Sequence, residues 1–187
     1  SAVCASNGLD VVGAEGKSVT FHLQNVKGED LAWSFGTETI VTIELGTPIR
    51  PKFYDKSYKS RVTFPDDGRA LTISQLRKND AGTYTAKNEE FRANFTLRVY
   101  SELSEPTVSC VRWNCSDAGC RYTLRCAVET PGDKSFFWSH NGQGVDEGPE
   151  LEVEVLHLEH PDPPLYTCMV QNPVSSSNIT VSPAETC

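Results

Sequence analysis

The sequence predicts an all-β fold: two β-sandwiches in tandem, over residues 1–101 and 102–187. Three observations carry that prediction. Apolar and polar residues alternate in short runs, with no sustained helical periodicity. Turn residues such as Gly36, Asp66-Asp67-Gly68 and Asn79-Asp80 punctuate those runs at the spacing of a sandwich or barrel. The pattern then repeats after residues 101–106, a stretch with little apolar periodicity that ends in Pro106.

In the first half the predicted strands are residues 18–23 (SVTFHL), 31–35 (LAWSF), 39–45 (TIVTIEL), 61–64 (RVTF), 70–76 (ALTISQL), 83–87 (TYTAK) and 94–100 (NFTLRVY). Trp33 lies on the second of these. Asp80 precedes Tyr84 by four positions, with the core position Ala86 two further on, the tyrosine-corner arrangement of immunoglobulin-like sandwiches. Arg61 opens a strand at the distance from Asp80 expected of the ion pair that closes one end of variable-type domains. The positions of the inter-sheet cysteines hold Leu23 and Ala86. A variable-type domain without that bridge forgoes about 2–5 kcal/mol, which packing around Trp33 has to replace.

The second half reads as strands at 122–128 (YTLRCAV), 135–140 (SFFWSH), 150–156 (ELEVEVL), 165–171 (LYTCMVQ) and 178–182 (NITVS). Here Cys126, Trp138, Tyr166 and Cys168 follow the order of a constant-type immunoglobulin domain, which pairs Cys126 with Cys168.

Composition fixes the setting. With 38% hydrophobic residues the chain can bury cores, and its formal charge of -8 argues against nucleic acid and against an anionic membrane surface. Of seven cysteines, six lie between Cys110 and Cys187, and Cys4 stands apart. That usage, with acceptor sequons at Asn94, Asn114 and Asn178, points to the extracellular, oxidising compartment. No run reaches the roughly 18 apolar residues of a membrane span, and no leader opens the chain. It reads as a trimmed ectodomain.

The order of these features resembles the signalling lymphocytic activation molecule (SLAM) family of leukocyte receptors. The resemblance rests on YTCMVQNPVS (166–175), CRYTLRC (120–126) and RVTFPDDGRALTISQLRKNDAGTY (61–84), and it covers nearly the whole chain. It implies a second bridge, Cys120–Cys187, leaving Cys110 and Cys115 to join each other. In the rival register of the related lymphocyte function-associated antigens, the bridge to Cys187 starts near Cys110. Cys4 is left without an assigned partner.

The family implies binding through the front sheet of the first domain, to another immunoglobulin-like receptor of the same family, a second copy or a relative. Alternation puts Trp33, Tyr84, Ala86, Val41, Ile43 and Leu45 on the core side. It leaves Ala32, Ser34, Ile40, Thr42, Glu44, Thr85 and Lys87 outward. The hairpin after Lys87 adds Glu89, Glu90, Phe91 and Arg92, and the segment before Asp55 adds Phe53 and Tyr54. Charges would set partner choice and register, and aromatics would supply affinity. Asn94 also alternates outward, so its glycan would stand on the binding sheet or displace the patch towards neighbouring strands.

The resulting expectation is an immune-cell adhesion and signalling receptor at the cell surface, anchored through segments outside this chain. A secreted or viral decoy that captures such a receptor is the alternative, and a structural adhesion module without a signalling tail is a third reading. No cofactor, metal or enzymatic activity is expected. His22, His140, His157 and His160 are scattered without a zinc spacing, and no phosphate loop or nucleophile elbow occurs.

Overall fold

The computed structural model describes residues 9–157 and 162–187; Cys4 and His160 lie outside the described residues. The chain divides into two compact units, Ser1–Tyr100 and Ser101–Cys187.

The first unit packs two sheets. The larger is β1 (Leu9–Ala14), β9 (Arg92–Tyr100), β8 (Gly82–Lys87), β3 (Asp30–Phe35), β4 (Glu38–Glu44) and β5 (Arg50–Phe53), in that order, with β1 parallel to β9. The smaller is β2 (Val19–His22), β7 (Ala70–Ile73) and β6 (Val62–Thr63). Between them lie Trp33, Tyr84, Phe21 and Leu71, at most 1% exposed.

Leu23 and Ala86 are buried in this core, as the missing cysteines require. The larger substitute is aromatic. Phe21 sits 6.0 Å from Trp33, 5.0 Å from Tyr84 and 4.9 Å from Phe95 between ring centroids, and Trp33 sits 6.0 Å from Phe95. Four such pairs at about 0.5–1.5 kcal/mol each match the scale of the absent disulfide. The far end is closed by Arg61, whose Nη1 and Nη2 donate to Asp80 at 2.7 and 2.9 Å with both side chains buried. The Tyr84 hydroxyl donates to the Asp80 carbonyl oxygen at 2.6 Å, completing the tyrosine corner.

The second unit has a three-stranded sheet, β10 (Thr107–Cys115), β11 (Gly119–Ala127) and β14 (Glu150–Leu156). Facing it are β13 (Gln143–Glu147), β12 (Ser135–His140), β15 (Tyr166–Asn172) and β16 (Ser175–Val181). The strand after β12 therefore pairs with β12 rather than extending the β14 sheet. A one-turn helix, α1 (Pro183–Thr186), ends the chain. Trp138 is fully buried beside the Cys126–Cys168 bridge.

The other two bridges correct the Cys120–Cys187 and Cys110–Cys115 assignments. Cys187 bonds Cys110, and Cys115 bonds Cys120. Strand register explains it: Cys115 and Cys120 are directly opposed where β10 turns into β11, with Cα atoms 4.0 Å apart. Cys110 lies further back on the same edge strand, where α1 returns the chain and brings Cys187 to a Cα separation of 5.2 Å.

Candidate functional site

The outward face of the β9-β8-β3-β4-β5 array is the candidate site. One row of directly opposed residues crosses all five strands: Arg92, Lys87, Ala32, Thr42 and Lys52. Three cations therefore share one line, separated at its centre by two small side chains. The next row towards the hairpin end is Asp30, Glu44 and Arg50. Glu89 and Glu90, in the hairpin between β8 and β9, continue the acidic rim. A shallow hollow of about 740 Å³ opens here, lined by Ala32, Thr42, Lys87, Glu89 and Glu90 among others. Lys87, Glu44, Arg92, Glu89 and Glu90 are all exposed, so their charges are available to a partner.

Asn88 shapes this rim. Its side-chain amide donates to the carbonyl oxygens of Lys27 and Asp30 at 2.6 and 2.7 Å, and its Oδ1 accepts from the Glu90 amide at 2.8 Å. Gly28 makes room for it: at φ +89° its backbone passes so close that a Cβ would stand 2.6 Å from Asn88 Nδ2.

Three of the expected outward residues lie elsewhere, and a fourth is on the face but covered. Ile40 is 2% exposed because β4 bulges there: Trp33 opposes Val41 and Ser34 opposes Thr39, so Ile40 is an extra residue. Its carbonyl oxygen accepts from both Tyr54 and Asp55 amides, and Ile40 and Val41 both enter the core. Phe53 opposes Val41 and points inward with it, its ring 6.1 Å from Phe64. Phe91 is half-buried against the same core. Thr85 does sit on the front face, between Ser34 and Asn94, but these neighbours cover it. It is 7% exposed, and its hydroxyl donates to Asn94 Oδ1 at 2.8 Å.

Ala32, Ser34 and Thr42 are half-buried on the face, and Tyr54 is 56% exposed at its β5 end. Lys52 Nζ lies 5.4 Å from the Tyr54 ring centroid. Asn94 stands in the row of Thr85, beside rather than within the cationic row. The sequence places the charge of the segment Arg50–Asp55 near the sheet but does not single out Lys52 or Arg50, and it gives no role to Asp30 or Asn88; with Phe53 inward, alternation exposes Lys52.

Among the described residues no cluster of three His, Cys, Asp or Glu side chains could hold a metal. His140 stacks on Tyr166 at 4.6 Å and bonds the Leu165 carbonyl oxygen through Nδ1, a structural placement.

No family model matches the chain. Individual relatives do. It is 31% identical over 178 residues to human SLAM family member 7, covering 89% of this chain and 52% of that protein. It is 30% identical over 185 residues to SLAM family member 5 of Mus musculus, covering 94% and 54%. The chain is a homologue of the SLAM family. It spans about half the length of these relatives. The SLAM-family homologue also shares its fold with the CD2-binding domain of CD58 (lymphocyte function-associated antigen 3). That likeness has a TM-score of 0.71 at 21% identity, over 94% of this chain and 96% of that one. Among the described residues no helix is long and apolar enough to cross a membrane.

Proposed function

We propose that this chain is the adhesive ectodomain of an immune-cell surface receptor, binding another immunoglobulin-like receptor of its family through the front sheet of the first domain. The family relationship supports the receptor class and a non-enzymatic role. The observation that carries the choice of face is the Arg92–Lys87–Ala32–Thr42–Lys52 row beneath the acidic Asp30, Glu44, Glu89 and Glu90 rim. A face with a cationic line and a border that is anionic except for Arg50 at its β5 edge matches a second such sheet turned head to tail over it, each line meeting the acidic part of the other's border. Complementarity of that kind sets register and excludes wrong partners more than it adds raw affinity. The small Ala32 and Thr42 at the centre allow close approach of two flat sheets, with Tyr54 as the exposed aromatic contact.

Asn94 limits the footprint. A glycan there would occupy the β8–β9 side below the cationic row, which favours contact over β3, β4 and β5. Sedimentation of the glycosylated ectodomain across concentration, alone and mixed with SLAM-family ectodomains, tests the reading. A reversible increase in mass with one of these is expected. A monomer in every mixture at the highest soluble concentration would contradict it.

A further inference from the structure

The second domain carries a small apolar patch on a surface that the proposed function does not use. On the outer face of the β13-β12-β15-β16 sheet, Phe137 and Met169 remain 38% and 41% exposed and directly oppose each other. On the next strand the residue opposite Met169 is Asn178, exposed, and the acceptor of Asn178-Ile179-Thr180. Phe137, Met169 and Asn178 thus form one cross-strand row, whose neighbours stand about 5 Å apart at Cβ. The flanking rows are polar: Ser135, Gln171 and Ser176 on one side, Ser139, Thr167 and Thr180 on the other. Thr167 and Thr180 share a hydroxyl hydrogen bond of 2.8 Å. On the side away from the sequon, Glu147 opposes Phe137, and Val145 of β13, 48% exposed, borders the same hollow as Phe137, so the apolar side chains beside the sequon are Met169 and then Phe137.

We propose that an N-linked glycan on Asn178 lies back over Met169 and Phe137 and covers this patch. The Asn178 amide nitrogen bonds C1 of the first N-acetylglucosamine of a polyprenyl-diphosphate-linked oligosaccharide; the polyprenyl diphosphate leaves and the nitrogen loses one proton. A pyranose ring is about as long as the spacing between adjacent strands, roughly 5 Å. The first sugar therefore sits above Met169 and the second above Phe137. One face of such a ring presents C–H groups, suited to a polarizable thioether and an aromatic face. Its hydroxyl and N-acetyl groups turn to water. A protein partner fits less well, because Phe137, Met169 and Val145, framed by serines, threonines and Glu147, fall far short of the roughly 800 Å² per partner of a stable interface.

Met169 is the single methionine of the chain, so its oxidation reports on this patch alone. Protein secreted from eukaryotic cells is treated with hydrogen peroxide, which transfers one oxygen to the sulfur and leaves as water. The sulfoxide is followed by peptide mass spectrometry, with occupancy of Asn178 measured on the same sample. Three forms are compared: wild type, wild type trimmed by endoglycosidase to the first N-acetylglucosamine, and Asn178→Gln. Wild type stripped of its whole glycan after folding replaces the variant if that fails to fold. Met169 is expected to oxidise several-fold faster without the glycan, while the trimmed form stays close to wild type. Equal rates with and without the glycan, or an unoccupied Asn178 in the secreted protein, would overturn the proposal. So would a trimmed form as fast as the bare one. Protection of the bare form that rises with protein concentration would do the same, by showing a second copy on the patch.

Discussion

Asn88 donates to the main-chain carbonyl oxygen of Asp30 at 2.7 Å, tying the hairpin after β8 to the first residue of β3. The two segments are far apart in sequence, and both border the candidate binding face. One side chain therefore holds the acidic rim in register with the cationic row.

Asn88→Ala removes the bonds to Lys27, Asp30 and Glu90 together. At about 0.5–1.5 kcal/mol net for each, partly offset by water at this exposed site, the loss should be about 1–3 kcal/mol. Denaturant unfolding of the first domain measures it. Gly28→Ala should cost a similar amount through its positive φ and its clash with Asn88. A variant as stable as wild type would show that the clamp is idle.

Asp80 makes the fold acid-sensitive. Burial alone would raise its carboxyl, but hydrogen bonds from the Arg61 guanidinium and the Arg77 backbone amide outweigh that and hold it below the usual carboxylate range. A depressed carboxylate stabilises the fold above its unfolded pKa of about 4, and that contribution is lost as pH falls through the folded value. Asp80→Asn leaves the buried Arg61 charge uncompensated and should cost about 3–5 kcal/mol at neutral pH. The gap between wild type and variant should narrow as pH falls below about 4. A gap unchanged down to strongly acid pH contradicts this assignment.

The three bridges should differ in worth. Cys126–Cys168 spans 42 residues and Cys115–Cys120 only 5. On the chain-entropy relation, removing the first by paired serine substitution costs about 4 kcal/mol and removing the second about 2 kcal/mol. Calorimetry of the second domain reads both. Non-reducing peptide maps should show Cys110 joined to Cys187, and a Cys120–Cys187 peptide would contradict the register of β10 on β11.

Much of this was legible in the sequence where residue types mark fixed strand positions. The corner of Asp80 and Tyr84 is a short-range pattern, and the ion pair with Arg61 and the Cys126–Trp138–Cys168 order are residue types tied to fixed strand positions. The site was less legible for a physical reason. Alternation assumes an unbroken ladder, and the extra residue at Ile40 carries no sequence marker, so one bulge turned an outward isoleucine into core. Phe53 and Phe91 look like exposed aromatics in isolation and become core only when Val41 and the hairpin fix their direction. Asn88 was invisible because its partners are main-chain atoms of a distant turn.

The central claim is that the front sheet of the first domain is the contact surface. Cells displaying this chain can be tested for binding to cells displaying the same chain and SLAM-family ectodomains, with melting temperature as a folding control. Three variants decide it: Lys87→Glu and Glu44→Lys on the front face, and Thr63→Lys at the exposed position of β6 in the opposite sheet. Binding should be lost in the first two and kept in the third, with all three melting as wild type does. Binding that survives both front-face reversals, or is lost in Thr63→Lys, would place the contact surface elsewhere.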